Sequence, residues 1–140
     1  MNSNPSPTPQ EFVEAARQEF DYLRDDYGFV QGTAVQNPCS VVFSRDQVTI
    51  VVEGINWGFG VNVLLSHAKE RVPLWAIARA KGRQDLPASG QLAQLRECAI
   101  LLREVAEDVL KGDTSFLAIA RQAMNQANAE ASIPKVRRLP

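Results

Sequence analysis

The sequence predicts an α+β domain: a four-stranded antiparallel β-meander with an N-terminal helix and a C-terminal helical hairpin packed mainly on one face. Three observations carry this. The stretch Cys39–Leu65 (CSVVFSRDQVTIVVEGINWGFGVNVLL) holds the longest run of β-branched and aromatic residues in the chain and offers two places to fold back. The segments on both sides place apolar residues at helical spacing. Proline and glycine separate the two kinds of pattern at Asn37-Pro38, Pro73, Gly90 and Gly112.

Taken in order, residues 1–8 form a short, polar, proline-rich tail expected to be disordered. Thr8-Pro9-Gln10-Glu11 starts a helix, with Thr8 as cap, Pro9 in the first turn, where an N–H has no intrahelical partner, and Glu11 closing a capping box. Phe12, Ala16, Phe20, Leu23 and Tyr27 form its apolar stripe, and Gly28 ends it. Phe29–Gln36 reads as an edge strand with a bend at Gly32, an edge open to pairing across a homodimer. Within the meander, folding about Arg45-Asp46 sets Phe43 opposite Val48, Val41 opposite Ile50 and Cys39 opposite Val52. Folding about Ile55-Asn56 sets Phe59 opposite Val52, Val61 opposite Ile50 and Val63 opposite Val48. One face is then apolar across three strands, and a one-residue slip would bury Thr49, Asn62 and Glu53 instead. The other face carries Thr49, Val51 and Asn62, and a helical layer on a single face suffices.

Beyond Leu65, a short helix enters at Pro73 and stops at Gly82, and a loop follows over Gln84–Gly90. A long helix then runs to Lys111 with Leu92, Leu95, Ala99, Leu102, Ala106 and Val109 on one seam, widened by Cys98, Leu101 and Val105. Gly112-Asp113 closes it and caps a last helix bearing Phe116, Leu117, Ala120, Ala123, Met124 and Ala127, expected to lie antiparallel to the long one. The folded domain therefore spans residues 9–130, and a basic tail occupies 131–140.

Composition excludes several functions. At 140 residues and 22% charged, the chain suits one folded domain with a core of its own. No apolar run approaches the ~20 residues of a membrane span, and there is no leader pattern, so a cytoplasmic protein is expected. Cys39 and Cys98 belong to no CxxC and read as thiols in a reducing compartment, a disulfide being the alternative. The lone His67 lacks the companions that metal binding or general-base chemistry needs, and Gly58-Phe59-Gly60 lacks the third glycine of a phosphate-cradling loop. No catalytic, metal or cofactor residues are therefore expected, and the chain reads as no enzyme.

Charge is unevenly spread. Residues 9–27 carry six acids against two arginines, while residues 67–84 carry Lys69, Arg71, Arg79, Lys81 and Arg83 against Glu70. Solvated helix faces lying near each other would explain this, as would a patch that meets an oppositely charged partner. The candidate partner-binding residues are accordingly Asp21, Asp25 and Asp26 on the acidic helix, Arg79, Lys81 and Arg83 on the basic segment, and Asn56, Trp57 and Phe59 at the second turn. Trp57 among glycines suits an interface anchor, or a ring folded back on the sheet edge. A nucleic acid or an anionic small molecule is the alternative ligand of segment 67–84, against a slightly negative total charge.

The ordered series Phe20…Tyr27-Gly28-Phe29, Val48-Thr49-Ile50-Val51-Val52, Val72-Pro73-Leu74, Leu95…Cys98-Ala99…Leu101-Leu102 and Val109-Leu110-Lys111-Gly112-Asp113…Phe116 resembles a set of small, uncharacterised bacterial α+β proteins. These are similar in size and style to immunity proteins that neutralise toxins. The resemblance spans roughly residues 9–125, rests on caps, turns and core positions, and implies a bacterial protein with a protein partner, and no catalytic residues.

Overall fold

The structure, a computed structural model, describes residues 8–32, 39–55, 60–68, 70–83 and 91–132. Its elements run α1 (Pro9–Glu19), α2 (Tyr22–Asp25), β1 (Val30–Gly32), β2 (Ser40–Arg45), β3 (Val48–Ile55), β4 (Gly60–His67), β5 (Glu70–Pro73), α3 (Leu74–Ala80), α4 (Gln91–Val105), α5 (Glu107–Leu110) and α6 (Ser115–Ser132). The sheet is antiparallel throughout, in the order β1-β2-β3-β4-β5.

It has five strands where the sequence reading expected four. The chain reverses at Ala68, which takes a left-handed φ of 54°, and Glu70–Pro73 returns along β4 before α3 begins. A four-residue strand ending in proline carries little β signal, and Pro73 suits the outer edge because it has no N–H to donate. The edge strand at the other side is only Val30–Gly32, and the remainder of Phe29–Gln36 lies outside the described residues.

Both hairpins fold at other positions than expected. The first turns at Asp46-Gln47, with Asp46 left-handed at φ 55°, so Arg45 pairs with Val48, Phe43 with Ile50 and Val41 with Val52. In the second, Ile55 pairs with Gly60, Val52 with Val63 and Ile50 with Leu65; its turn residues lie outside the described residues. Each shift is an even number of residues, so every side chain keeps its face. Val41, Phe43, Val48, Ile50, Val52, Val63, Leu65 and Val72 all share the inner face and are buried.

The helices close over that face. Thr8 and Glu11 form the expected capping box: the Thr8 hydroxyl accepts from Glu11 N–H, and Glu11 Oε1 accepts from Thr8 N–H. Phe12, Ala16, Phe20, Leu23 and Tyr27 are all buried, but on two helices, with a break at Phe20-Asp21. Gly28 at φ 75° then ends α2 in a Schellman arrangement, in which Phe29 N–H donates to Leu23 O and Gly28 N–H to Arg24 O. The long helix expected to reach Lys111 also breaks, at Ala106. Leu95, Cys98, Ala99, Leu101, Leu102, Val105, Ala106 and Val109 are buried along it, whereas Leu92 is exposed. Helix α6 buries Leu117 and Ala120, leaves Ala123 exposed, and packs chiefly on α3 and β5 rather than antiparallel along α4. The short link fixes only that α6 follows α5; the uncovered end of the sheet's inner face at β5 decides where it lies.

Candidate functional site

Most of the charged candidates are partnered inside the chain, and α4–α5 is where they meet. On one side, Arg103 Nη2 lies 2.9 Å from Asp26 Oδ2 and Arg96 Nε lies 3.5 Å from Glu19. On the other, Arg83 Nη2 lies 2.9 Å from Glu104 and Lys81 Nζ lies 3.4 Å from Asp108. Asp21 pairs with Arg24 on its own helix. The acidic and basic segments thus do not face each other; α4–α5 stands between them and presents arginines to one and carboxylates to the other. Each pair is half-exposed and worth about 0–1 kcal/mol. Their consequence is electrostatic: they leave Arg71 and Arg79 as the exposed cations of the described basic segment without an ion pair. Asp25 is exposed at the end of α2. Asn56, Trp57, Phe59 and Lys69 lie outside the described residues.

One of these charges caps a helix and another packs on two tyrosine rings. Lys81 Nζ donates to Val105 O, the last carbonyl of α4, and sits 4.6 Å from the Phe116 ring centroid. Val109 N–H donates to Asp108 Oδ1 at 3.0 Å, and the helix breaks at Ala106, whose φ is −121°. Arg103 lies over the Tyr22 and Tyr27 rings, at 5.0 and 5.8 Å from their centroids. Tyr22 donates its hydroxyl to Ala99 O at 2.6 Å and Tyr27 to Glu107 Oε2 at 2.9 Å. Burial first, and the Glu107 contact second, hold Tyr27 above the usual tyrosine range; burial does the same for Tyr22. The hydrogen bond to Tyr27, with Asp26 nearby, raises Arg103 in turn. Every group in the cluster has a partner within the chain, so it holds α2 to α4–α5.

Arg45 performs a related task at the end of β2. On the inner face, its Nη1 donates to Tyr27 O and, at 3.2 Å, to Leu110 O, the carbonyls that end α2 and α5. Its stem passes Gly28 and its guanidinium passes Gly112, the two left-handed glycines that close those helices. One cation therefore satisfies two negative helix ends.

His67 also sits on the inner face, opposite Val48 and Glu70. Glu70 supplies a nearby carboxylate, but Arg121 lies 3.9 Å from it. Among the described residues, no three of His, Cys, Asp and Glu gather as a metal would require. Neither Cys39 nor Cys98 is in a disulfide, and burial pushes the Cys98 thiol up to about 11.

What the packing leaves over is the outer face of the sheet. Gly32, Val42, Val51, Leu64 and Pro73 are successive register partners and form one uncharged row across all five strands. Val30, Ser44, Thr49, Ser66 and Arg71 form the row on one side. Ser40, Glu53 and Asn62 form the row on the other; Ser40 is buried, so the face is open only beyond that corner, and Asn62 Nδ2 donates to Glu53 Oε2 at 3.0 Å. Val42, Val51 and Leu64 are half-buried and lie outside the buried core. Of these, the sequence reading had placed Val51 on the outer face without marking it as a site. The signal lay in the doublets Val41-Val42, Val51-Val52 and Leu64-Leu65: a one-sided sheet needs an apolar residue in only one phase, and here both phases have one. Among the described residues no helix is long and apolar enough to cross a membrane. Compared with protein-family models, with curated proteins and with solved structures, the chain gave no match.

Proposed function

We propose that the chain is a non-enzymatic bacterial protein-binding module that docks a folded partner on the outer face of its sheet. The carrying observation is the half-buried, uncharged row Val42–Val51–Leu64–Pro73, outside the core and flanked by Ser44, Thr49, Ser66 and Arg71 on one side and by Glu53 and Asn62 on the other. An apolar centre with a polar rim is the anatomy of a protein interface, and charge is depleted at such centres. The partner surface that fits is a short apolar ridge with hydrogen-bonding groups on both sides. Cysteines outside any disulfide at positions 39 and 98 suit work in the cytoplasm. An immunity-type inhibitor of a toxin is one module of this kind, and the resemblance of the helix ends and meander supports it. The internal pairing of Lys81 and Arg83 weakens the alternative of a nucleic-acid or anionic ligand on the basic segment.

A photo-crosslinking amino acid placed at Leu64 in cells tests the docking face. It is expected to capture a protein in a discrete adduct, whereas the same group at Gln122, exposed on α6, gives background only. Equal background at both positions would overturn the proposal.

A further inference from the structure

We infer that the protein docked on the outer sheet face is a second copy of this chain. The inference rests on the docking face proposed above and asks what surface matches it. The strands contribute 3, 6, 8, 8 and 4 residues. At about 3.3 Å per residue and about 4.8 Å between strands, the face projects to roughly 460 Å² per copy. Two copies face to face cover roughly 900 Å² in projection, the size of a weak, transient interface rather than a permanent one.

The face is also complementary to itself in one of the two two-fold arrangements that centre on Val51 and keep the strands of both copies collinear. In both, Val51 meets Val51 of the second copy, because β3 is the central strand and Val51 the middle of the uncharged row. A two-fold axis along the strands would set Glu53 over Glu53, two carboxylates in a drying interface. A two-fold axis along the uncharged row instead sets Val42 on Val42 and Leu64 on Leu64, and exchanges the flanking rows. Glu53 then meets the Thr49 hydroxyl and Asn62 meets the Ser66 hydroxyl. A carboxylate that already accepts from Asn62 has lone pairs left for a second donor. Arg71, on the outermost strand, stays at the rim. Aliphatic contacts over a small area, without an aromatic anchor in the uncharged row, set the dissociation constant at about 10–100 µM.

Sedimentation equilibrium of the full chain from low to high micromolar concentration tests this. A reversible dimer is expected, and Leu64→Glu is expected to weaken it at least tenfold while keeping a cooperative melt. Val51→Cys, which removes little bulk, is expected to give a covalent dimer with a short bifunctional methanethiosulfonate, because the two residues meet on the axis of sheets about 10 Å apart, beyond direct disulfide reach; Gln122→Cys is not. Glu53→Gln is expected to change the constant less than threefold, since an amide also accepts from Thr49. A monomer at every concentration, or a dimer in which Leu64→Glu and Val51→Cys behave like the control, overturns the inference. A tenfold tightening by Glu53→Gln overturns it too, by putting the carboxylates face to face. If the chain is monomeric while the Leu64 probe still captures another protein, only the second copy is lost; if the probe captures nothing, the docking face falls as well.

Discussion

Replacing Arg45 by alanine removes one donor from two helix ends at once. Nη1 donates to Tyr27 O and Leu110 O, and each charge-assisted bond of this kind is worth about 1.5–3 kcal/mol when buried. The side chain is 34% exposed, so water replaces part of each bond and the lower end applies. A loss of about 2–3 kcal/mol is expected for Arg45→Ala, a large share of the ~5–15 kcal/mol that holds a domain of this kind together. For a chain of 140 residues that lowers Tm by roughly 8–12 °C. Urea unfolding at constant m-value measures it directly, with an expected midpoint shift of about 1–1.5 M. Arg45→Lys separates charge from geometry. A single ammonium cannot lie along both carbonyls as a guanidinium does, so it should recover about half of the loss. Arg45→Met keeps the stem beside Gly28 but loses the guanidinium over Phe29, and should recover less than Lys. An Arg45→Ala variant within 0.5 kcal/mol of the parent, or a Lys variant equal to the parent, would refute the double cap.

Three further outcomes follow from the same structure. Stability should fall as pH rises above about 9, because Cys98 ionises in the unfolded chain from 9.0 but in the folded chain only near 11, and the raised tyrosines Tyr22 and Tyr27 extend the loss above pH 10. Cys98→Ala should flatten the part between pH 9 and 11, which titration of the urea midpoint reads out; an unchanged slope counts against a buried thiol. Lys81→Met should cost about 1–2 kcal/mol through the lost Val105 cap and Phe116 contact, with 1 M salt recovering none of it because the ion pair to Asp108 contributes least. Gly112→Ala should cost about 1–2 kcal/mol by thermal melting, since φ there is 106° and alanine is strained in that region although space exists for its methyl group.

Local chemistry was legible in the sequence, and distant partnership was not. Thr8, Pro9 and Glu11 identify a helix start because all the groups involved lie within one turn. Gly28, Gly82 and Gly112 identify helix ends because left-handed φ values belong to glycine. The inner face of the sheet was readable because parity survives an even shift of register, while the turn positions were not, since Asp46-Gln47 holds no Asn-Gly signal. β5 was hidden by its length and by Pro73. The break at Ala106 carries no glycine or proline, and the Lys81 ammonium that caps Val105 O there comes from 24 residues earlier in the chain. Arg45 read as a turn residue and proved to be the tie between two helices. For the docking surface, the apolar doublets were present in the sequence, but only the register aligns Val42, Val51, Leu64 and Pro73 into one row.

The Arg45 clamp also bears on the birth of the protein. Its two acceptors lie 18 residues before it and 65 residues after it. A ribosome that has released the chain through β4 has delivered the arginine and its first acceptor, but the second is still unmade or inside the exit tunnel. Synthesis runs at ~5–20 residues per second, so the half-built clamp persists for several seconds. During that interval the end of α2 holds the guanidinium alone, and the inner sheet face waits for α4 to cover it. The last tie to close joins the first helices to the last third of the chain, so a truncated product lacking Leu110 carries an unfinished clamp.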